Sequence, residues 1–190
     1  GSGGFLHNVL RSNHKIGNFF NGTIAYLRFW HGVALDADQV AELYALRINP
    51  TPAPTGVPTP APTILRDPDH EFDFRGCSDT SPTNDTGVDG AGITGTATNG
   101  ATCSSEGMLF DGSDDYVDVT PWPFGGEAMT VEAYVKYDSF NSWSRIFDFG
   151  DGTDDDEIFF SHWGTTQQFT FTVGVGSSSY PLYTYFTSFL

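Results

Sequence analysis

The sequence predicts an all-β protein, an antiparallel β-sandwich with jelly-roll-like connections. Three observations carry this expectation. The chain holds 22 Gly, 11 Pro and 15% aromatic residues against only 17% charged ones, a composition that favours short strands joined by turns over helical packing. Several stretches alternate apolar and polar residues with the period of a strand. Asn-Gly and Asp-Gly pairs punctuate them, as tight turns require.

The first strand signal is Thr23 to Trp30, β-branched and aromatic on both faces and preceded by the turn Asn21-Gly22. Apolar residues on both faces suit a strand inside a two-layer sandwich. A short helix is expected over residues 36–47. Asp36 can cap it, Gln39 stands three residues on, Leu35 and Val40 occupy the hydrophobic-staple positions, and Val40, Leu43, Tyr44 and Arg47 share one face. Asn49 to Thr63 then carries six prolines. Each proline fixes its own φ and biases its predecessor toward extended geometry, so residues 48–66 read as a polyproline spacer between two modules. Its threonines suit O-linked sugars, and a rival role for it is ligand to an aromatic-lined groove.

Strands recur beyond the spacer at Glu71–Phe74, Met108–Phe110, Tyr116–Val119, Met129–Tyr137 and Arg145–Phe149. In the fourth of these, Met129, Val131, Ala133, Val135 and Tyr137 form a core face opposite Thr130, Glu132, Tyr134 and Lys136. Phe169, Phe171, Val173 and Val175 form another core face opposite Thr170, Thr172 and Gly174.

Charge narrows the possible partners. With 24 acidic and 8 basic residues the net charge is −16, a field that repels nucleic acid and anionic bilayers. Direct membrane insertion is not expected, since no stretch has the length and apolarity of a spanning segment. The acidic surplus suits divalent cations, and solubility in salty surroundings explains it equally well. Cys77 and Cys103 lie in a polar, Ser/Thr/Gly-rich stretch, and in a secreted chain they are expected to pair. The sequons at Asn21 and Asn84 agree with a secretory route, while the one at Asn49 is blocked by Pro50. The chain is expected to be the interior of a longer extracellular or cell-surface protein.

Three stretches carry a family resemblance. Phe20 to Tyr44, Met108-Leu-Phe-Asp-Gly-Ser-Asp-Asp-Tyr-Val-Asp-Val119, and Met129-Thr-Val-Glu-Ala-Tyr-Val-Lys136 with Ser144 to Gly150 together resemble the laminin-G-like, concanavalin A-like lectin/glucanase repeats. The first is similar to a closing strand and terminal helix, the second to an early hairpin, the third to the first long central strands. The resemblance therefore implies that residues 1–47 end one repeat and residues 67–190 begin the next. It also implies one permuted sandwich, since first and last strands of such a repeat lie side by side.

The same resemblance brings glucan hydrolases into view. A retaining glycosidase needs two carboxylates about 5 Å apart, which this fold usually supplies as Glu-x-Asp-x-x-Glu. That motif is absent: Glu71-Phe72-Asp73 comes nearest, but Gly76 stands where the second glutamate belongs. The five histidines fall in no motif that pairs them with a nucleophile. No catalytic residue is assigned, and the chain is not expected to be an enzyme. Ca²⁺ is the one cofactor considered, because Asp111–Asp115 and Asp148–Asp156 offer dense oxygens. The second loop is preferred, through Asp148, Asp151, Asp154 and Asp156. Sugar recognition needs exposed aromatic faces with polar neighbours. Trp143 and Trp163 are the candidates, with Asn141, His162 and Gln167 beside them, while Trp30 and Trp122 read as packing residues. The expected function is non-catalytic extracellular adhesion or recognition of a glycan or a protein. The alternatives are an accessory or degenerate domain of a carbohydrate-active hydrolase and an architectural spacer.

Overall fold

The computed structural model describes residues 6–10, 13–48, 66–78, 83–126, 128–150, 157–166, 168–175 and 178–185. In chain order the elements are β1 (Leu6–Leu10), β2 (Asn13–Ile16), β3 (Asn21–His31), α1 (Ala37–Ile48), β4 (His70–Asp73), β5 (Thr83–Asn84), β6 (Thr94–Thr98), β7 (Thr102–Cys103), β8 (Met108–Asp111), β9 (Tyr116–Val119), β10 (Pro123–Gly126), β11 (Met129–Ser139), β12 (Arg145–Gly150), β13 (Glu157–His162), β14 (Gln168–Val175) and β15 (Ser178–Tyr185). The spacer at 49–65 lies outside the described residues.

All pairings among the strands are antiparallel. One sheet runs β15-β14-β13-β12-β2-β9-β6-β5, and the sheet facing it runs β11-β3-β8-β7 with β4 also on β3. A small β1-β10 pair stands beside them. Strands from before and after the spacer interleave in both main sheets: β2 is inserted between β9 and β12, and β3 pairs with β4, β8 and β11. Neither sheet is complete without residues 13–31.

The β3 pattern explains its place. Ile24, Leu27 and Phe29 face the other sheet and are buried with Phe72, Met108 and Phe110 against Ile16, Val117, Val119, Phe147 and Phe149. A register shift against Tyr134/Val135 skips Ala25, whose carbonyl accepts from Phe74 N at 2.9 Å. This keeps Ile24 and Leu27 both inward although they are three residues apart. Each fully buried Phe or Leu of this kind contributes about 1.5–3 kcal/mol. On the outer face, Trp30 is held under the spacer's far end, donating from Nε1 to Arg66 O at 2.8 Å.

Trp122 and Trp30 are buried packing residues, 3% and 1% exposed, and Trp122 belongs to the core between the sheets. The Trp122 ring meets His70, His14 and Phe149 at 4.5, 4.6 and 4.9 Å. Cys77 and Cys103 form the expected disulfide, with Cα atoms 5.7 Å apart. It ties the turn after β4 to β7 along the edge of the five-stranded sheet.

The helix start is as expected. Asp36 Oδ1 accepts from Asp38 N (3.0 Å) and Gln39 N (2.9 Å), and Gln39 Oε1 accepts from Asp36 N (3.0 Å), a complete capping box. The expected buried stripe is corrected among the described side chains: Leu43 is buried, while Val40 and Tyr44 are about half exposed, and the Arg47 side chain lies outside the description. The helix lies on the outer face of β3 and β11, which carries Tyr26, Thr130, Glu132 and Tyr134, and leaves a shallow cleft of about 190 Å³ that Val40, Leu43 and Tyr44 also line. A second correction concerns β14, where Thr170 and Thr172 are as buried as Phe169. These threonines lie in register with Ser161 and Phe159 of β13, both buried, between β13 and β15, and their hydroxyls bond each other at 3.1 Å. A third concerns the early hairpin: β8 and β9 belong to opposite sheets, so the Asp-Gly turn between them crosses the sandwich.

Candidate functional site: an aromatic and acidic rim

One end of the sandwich is closed by loops that change sheet. Loop 17–20 leads from β2 to β3, loop 99–101 from β6 to β7, loop 112–115 from β8 to β9, and loop 140–144 from β11 to β12. The β13–β14 hairpin turns at the same end. Backbone and side-chain bonds weld these loops together. Gly17 N donates to Ile146 O at 3.0 Å and Arg145 N to Asn18 O at 2.8 Å. Asn141 Nδ2 donates to Gly112 O at 3.0 Å and Asn21 Nδ2 to Asp111 O at 2.9 Å. Gly17 has φ +84°, and an added Cβ would stand 2.2 Å from the Phe110 ring, so only glycine permits this approach.

Trp143 and Trp163 meet at this rim. Their ring centroids are 4.7 Å apart with planes at 67°, and they are 39% and 40% exposed. The geometry is an edge-to-face pair with ring surface left to solvent. Two devices hold it. Trp143 sits at φ 59°, a region that bulky residues occupy only when surrounding contacts over-determine it. Trp163 is fixed in the hairpin turn, donating from N to Gln168 O (2.7 Å) and accepting at its carbonyl from Thr166 N (3.1 Å). His162 N reaches Ser144 O at 3.4 Å, joining the two loops beneath the rings. Phe19, on loop 17–20, repeats the pattern: it has φ 58° and is 44% exposed.

The polar neighbours expected for the tryptophans are only partly there. Asn141 lies at the rim but is committed to the loop, bonding Gly112 O and accepting from Ser139 Oγ at 3.0 Å. His162 is corrected: it is fully buried, because its register opposite Phe169 turns it to the core face of β13 with Ile158 and Phe160. Its ring packs against Phe140 (5.3 Å) and Tyr137 (5.6 Å), and burial holds its pKa below the usual histidine value. The Tyr137 hydroxyl is pushed up by the same burial. Gln167 lies outside the described residues.

Acidic side chains gather on the same rim. Asp111, Asp114 and Asp115 each bring a carboxylate oxygen within 4.8 Å of the others. Asp111 and Asp114 are exposed. Asp115 is buried, accepts from Asp111 N at 2.9 Å, and is held above the usual carboxylate range by burial and then by its two acidic neighbours. The loop preferred from the sequence for Ca²⁺ contributes differently. Asp148 is on β12 and accepts from Arg145, whose guanidinium also lies 3.5 Å from Glu157 and 4.6 Å from the Phe159 ring centre. Asp151, Asp154 and Asp156 lie outside the described residues.

The nearest approach to a hydrolytic carboxylate pair is occupied by cations. Arg28 lies in register between Glu71 and Glu132 and bonds both, from Nε at 2.6 Å and from Nη1 at 3.2 Å. Asp73 is bound to Arg75 at 2.6 Å, which keeps its carboxyl below the usual range despite partial burial. Tyr26 donates to Glu132 at 3.1 Å, and its pKa is pushed up to about 12 by burial and by that glutamate. His70 and Asp85 form a buried pair at 2.5 Å against Trp122.

No local sequence pattern joins Phe19 and the acidic triad to the tryptophans in one site. The only signal was the crowding of Gly and Asn around Phe19 and the Asp-Gly pair at 111–112, which marks turns without saying which turns meet. No curated protein and no solved structure matches the chain. Residues 111–188, less than half of the chain, match a laminin G family model. That model describes the concanavalin A-like lectin/glucanases superfamily, to which these residues are similar, and the two antiparallel sheets described above agree with the similarity.

Proposed function

We propose that this chain is a non-catalytic recognition module that binds carbohydrate at the loop rim, in an extracellular or cell-surface protein. The observation that carries the reading is the Trp143–Trp163 pair, two half-exposed rings fixed at 4.7 Å by strained and hydrogen-bonded loops. Ring faces held open to water stack on sugar C–H groups, and a rigid pair loses little entropy on binding. The absence of catalysis is supported by Arg28 and Arg75, which engage Glu71, Glu132 and Asp73. A general acid needs a carboxyl kept protonated near neutrality, and ion pairing works in the opposite direction.

The disulfide and the net charge of −16 support the extracellular setting. The interleaving of residues 13–31 with the later strands supports reading the two pieces as tail and head of laminin-G-like repeats that complete one sandwich. The test is a glycan array probed with the wild-type chain and with Trp143→Ala and Trp163→Ala. Signals present for the wild type and absent from both variants support the reading; an array without signal, or one indifferent to both substitutions, contradicts it.

A further inference from the structure

Both the rings and the charges at the rim favour one kind of ligand. The five loops at this end, residues 17–20, 99–101, 111–115, 140–144 and 163–166, contain Asp111, Asp114 and Asp115 and no Lys, Arg or His. The nearest cation in sequence, Arg145, is engaged by Asp148 and Glu157. The acidic loop and the Trp143 loop are in direct contact: Asn141 bonds Gly112 O, and a Cβ at Gly112 would stand 2.2 Å from Asn141 Nδ2. Electrostatic attraction reaches over about 8–10 Å at moderate salt, so loops in contact put these carboxylates and the rings on one rim. The faces of Trp143, Trp163 and Phe19 are themselves the negative poles of the aromatic quadrupole and attract ammonium groups. A neutral sugar would use only the stacking surface. A sulfated or carboxylated one would meet repulsion from three carboxylates and from a chain of net charge −16.

We infer that the ligand of the rim is a cationic amino sugar, an oligosaccharide with free amines, stacked on Trp143 and Trp163 with its ammonium groups toward Asp111 and Asp114. This rests on the carbohydrate reading above and narrows it to a ligand class. Asp111 and Asp114 are exposed and suit direct pairing, while Asp115 is buried and holds the loop through Asp111 N.

The experiment is isothermal titration of the EDTA-treated chain with three hexasaccharides: glucosamine oligomer, its N-acetylated form, and a neutral β-glucan. It is done below the pKa of the sugar amine, at low and high salt, with the wild type, Trp143→Ala and the double variant Asp111→Asn/Asp114→Asn. The glucosamine oligomer is expected to bind at least about tenfold tighter than the other two. That preference should fall several-fold in high salt and in the double variant, and all binding should fall in Trp143→Ala. Asparagine keeps the carbonyl that accepts from Ser113 N in the Asp111 turn, and circular dichroism checks that the fold is retained. Equal binding of all three sugars, lost in Trp143→Ala, overturns the cationic assignment and leaves the carbohydrate reading standing. A preference that survives the double variant also overturns it. A lysine-rich peptide binding as tightly as the glucosamine oligomer overturns the sugar class. No binding of any sugar removes both readings.

Discussion

Phe29 offers the sharpest test of the fold. It sits on β3, before the spacer, yet its ring meets residues from after it: Phe147 at 5.4 Å, Phe149 at 5.5 Å, Trp122 at 6.0 Å and Phe72 at 6.4 Å. It is 1% exposed. Phe29→Ala removes a whole ring from between the sheets, and a site bounded by Phe72 of one sheet, Phe147 and Phe149 of the other and Trp122 of the β9–β10 link cannot collapse fully. The expected cost is about 3–5 kcal/mol, a large part of the roughly 5–15 kcal/mol that holds a domain folded. With a urea slope of about 2 kcal/mol/M, the midpoint should fall by about 2 M. The assay is urea unfolding followed by tryptophan fluorescence and far-UV circular dichroism. Both signals should move together, because one core serves both pieces of the chain. A loss below about 1 kcal/mol, or a split transition in which only part of the signal moves, would refute the shared core.

Three other outcomes are expected. Replacing both Cys77 and Cys103 by Ser opens a loop with a sequence separation of 26 and should cost about 3.5 kcal/mol in the chain-entropy model; thermal unfolding showing under about 1 kcal/mol would contradict a structural role. His162 is neutral and buried with a depressed pKa, so its share of stability is full above the unfolded value of about 6.5 and is lost as pH falls through it. The slope of stability between about pH 7 and pH 5 should therefore be flatter in His162→Phe, and identical slopes would disprove the assignment. Secreted from a glycosylating host, the chain should carry an N-glycan at Asn84, which is exposed together with Thr86, and none at Asn21, whose amide is bonded to Asp111 O and whose sequon threonine, Thr23, is buried. Glycopeptide mass spectrometry showing Asn21 occupied would be inconsistent with the packing of loop 112–115 against it.

Strands with one wet face, or with β-branched runs bounded by turns, were legible in the sequence. β9 and β11 fall within two residues of their expected bounds, and the capping box at Asp36 and Gln39 was readable because it depends on local spacing alone. What could not be read was which sheet each strand joins. An Asp-Gly turn looks the same whether it closes a hairpin or crosses a sandwich, so β8 and β9 resembled partners. The inward turn of His162 was hidden for a related reason: Ile158-Phe-Phe160 is apolar on both faces, and alternation says nothing there. Trp143 and Trp163 could each be marked as loop residues. Their contact follows from the β12–β13 pairing together with the His162–Ser144 bond, both long-range.

The Trp143–Trp163 pair is the proposed ligand contact, and calorimetric titration of the best array ligand into wild type, Trp143→Ala and Trp163→Ala tests it directly. The expected result is a loss of at least about tenfold in affinity, about 1.4 kcal/mol, for each variant with unchanged circular dichroism. Wild-type affinity retained in both variants would contradict it.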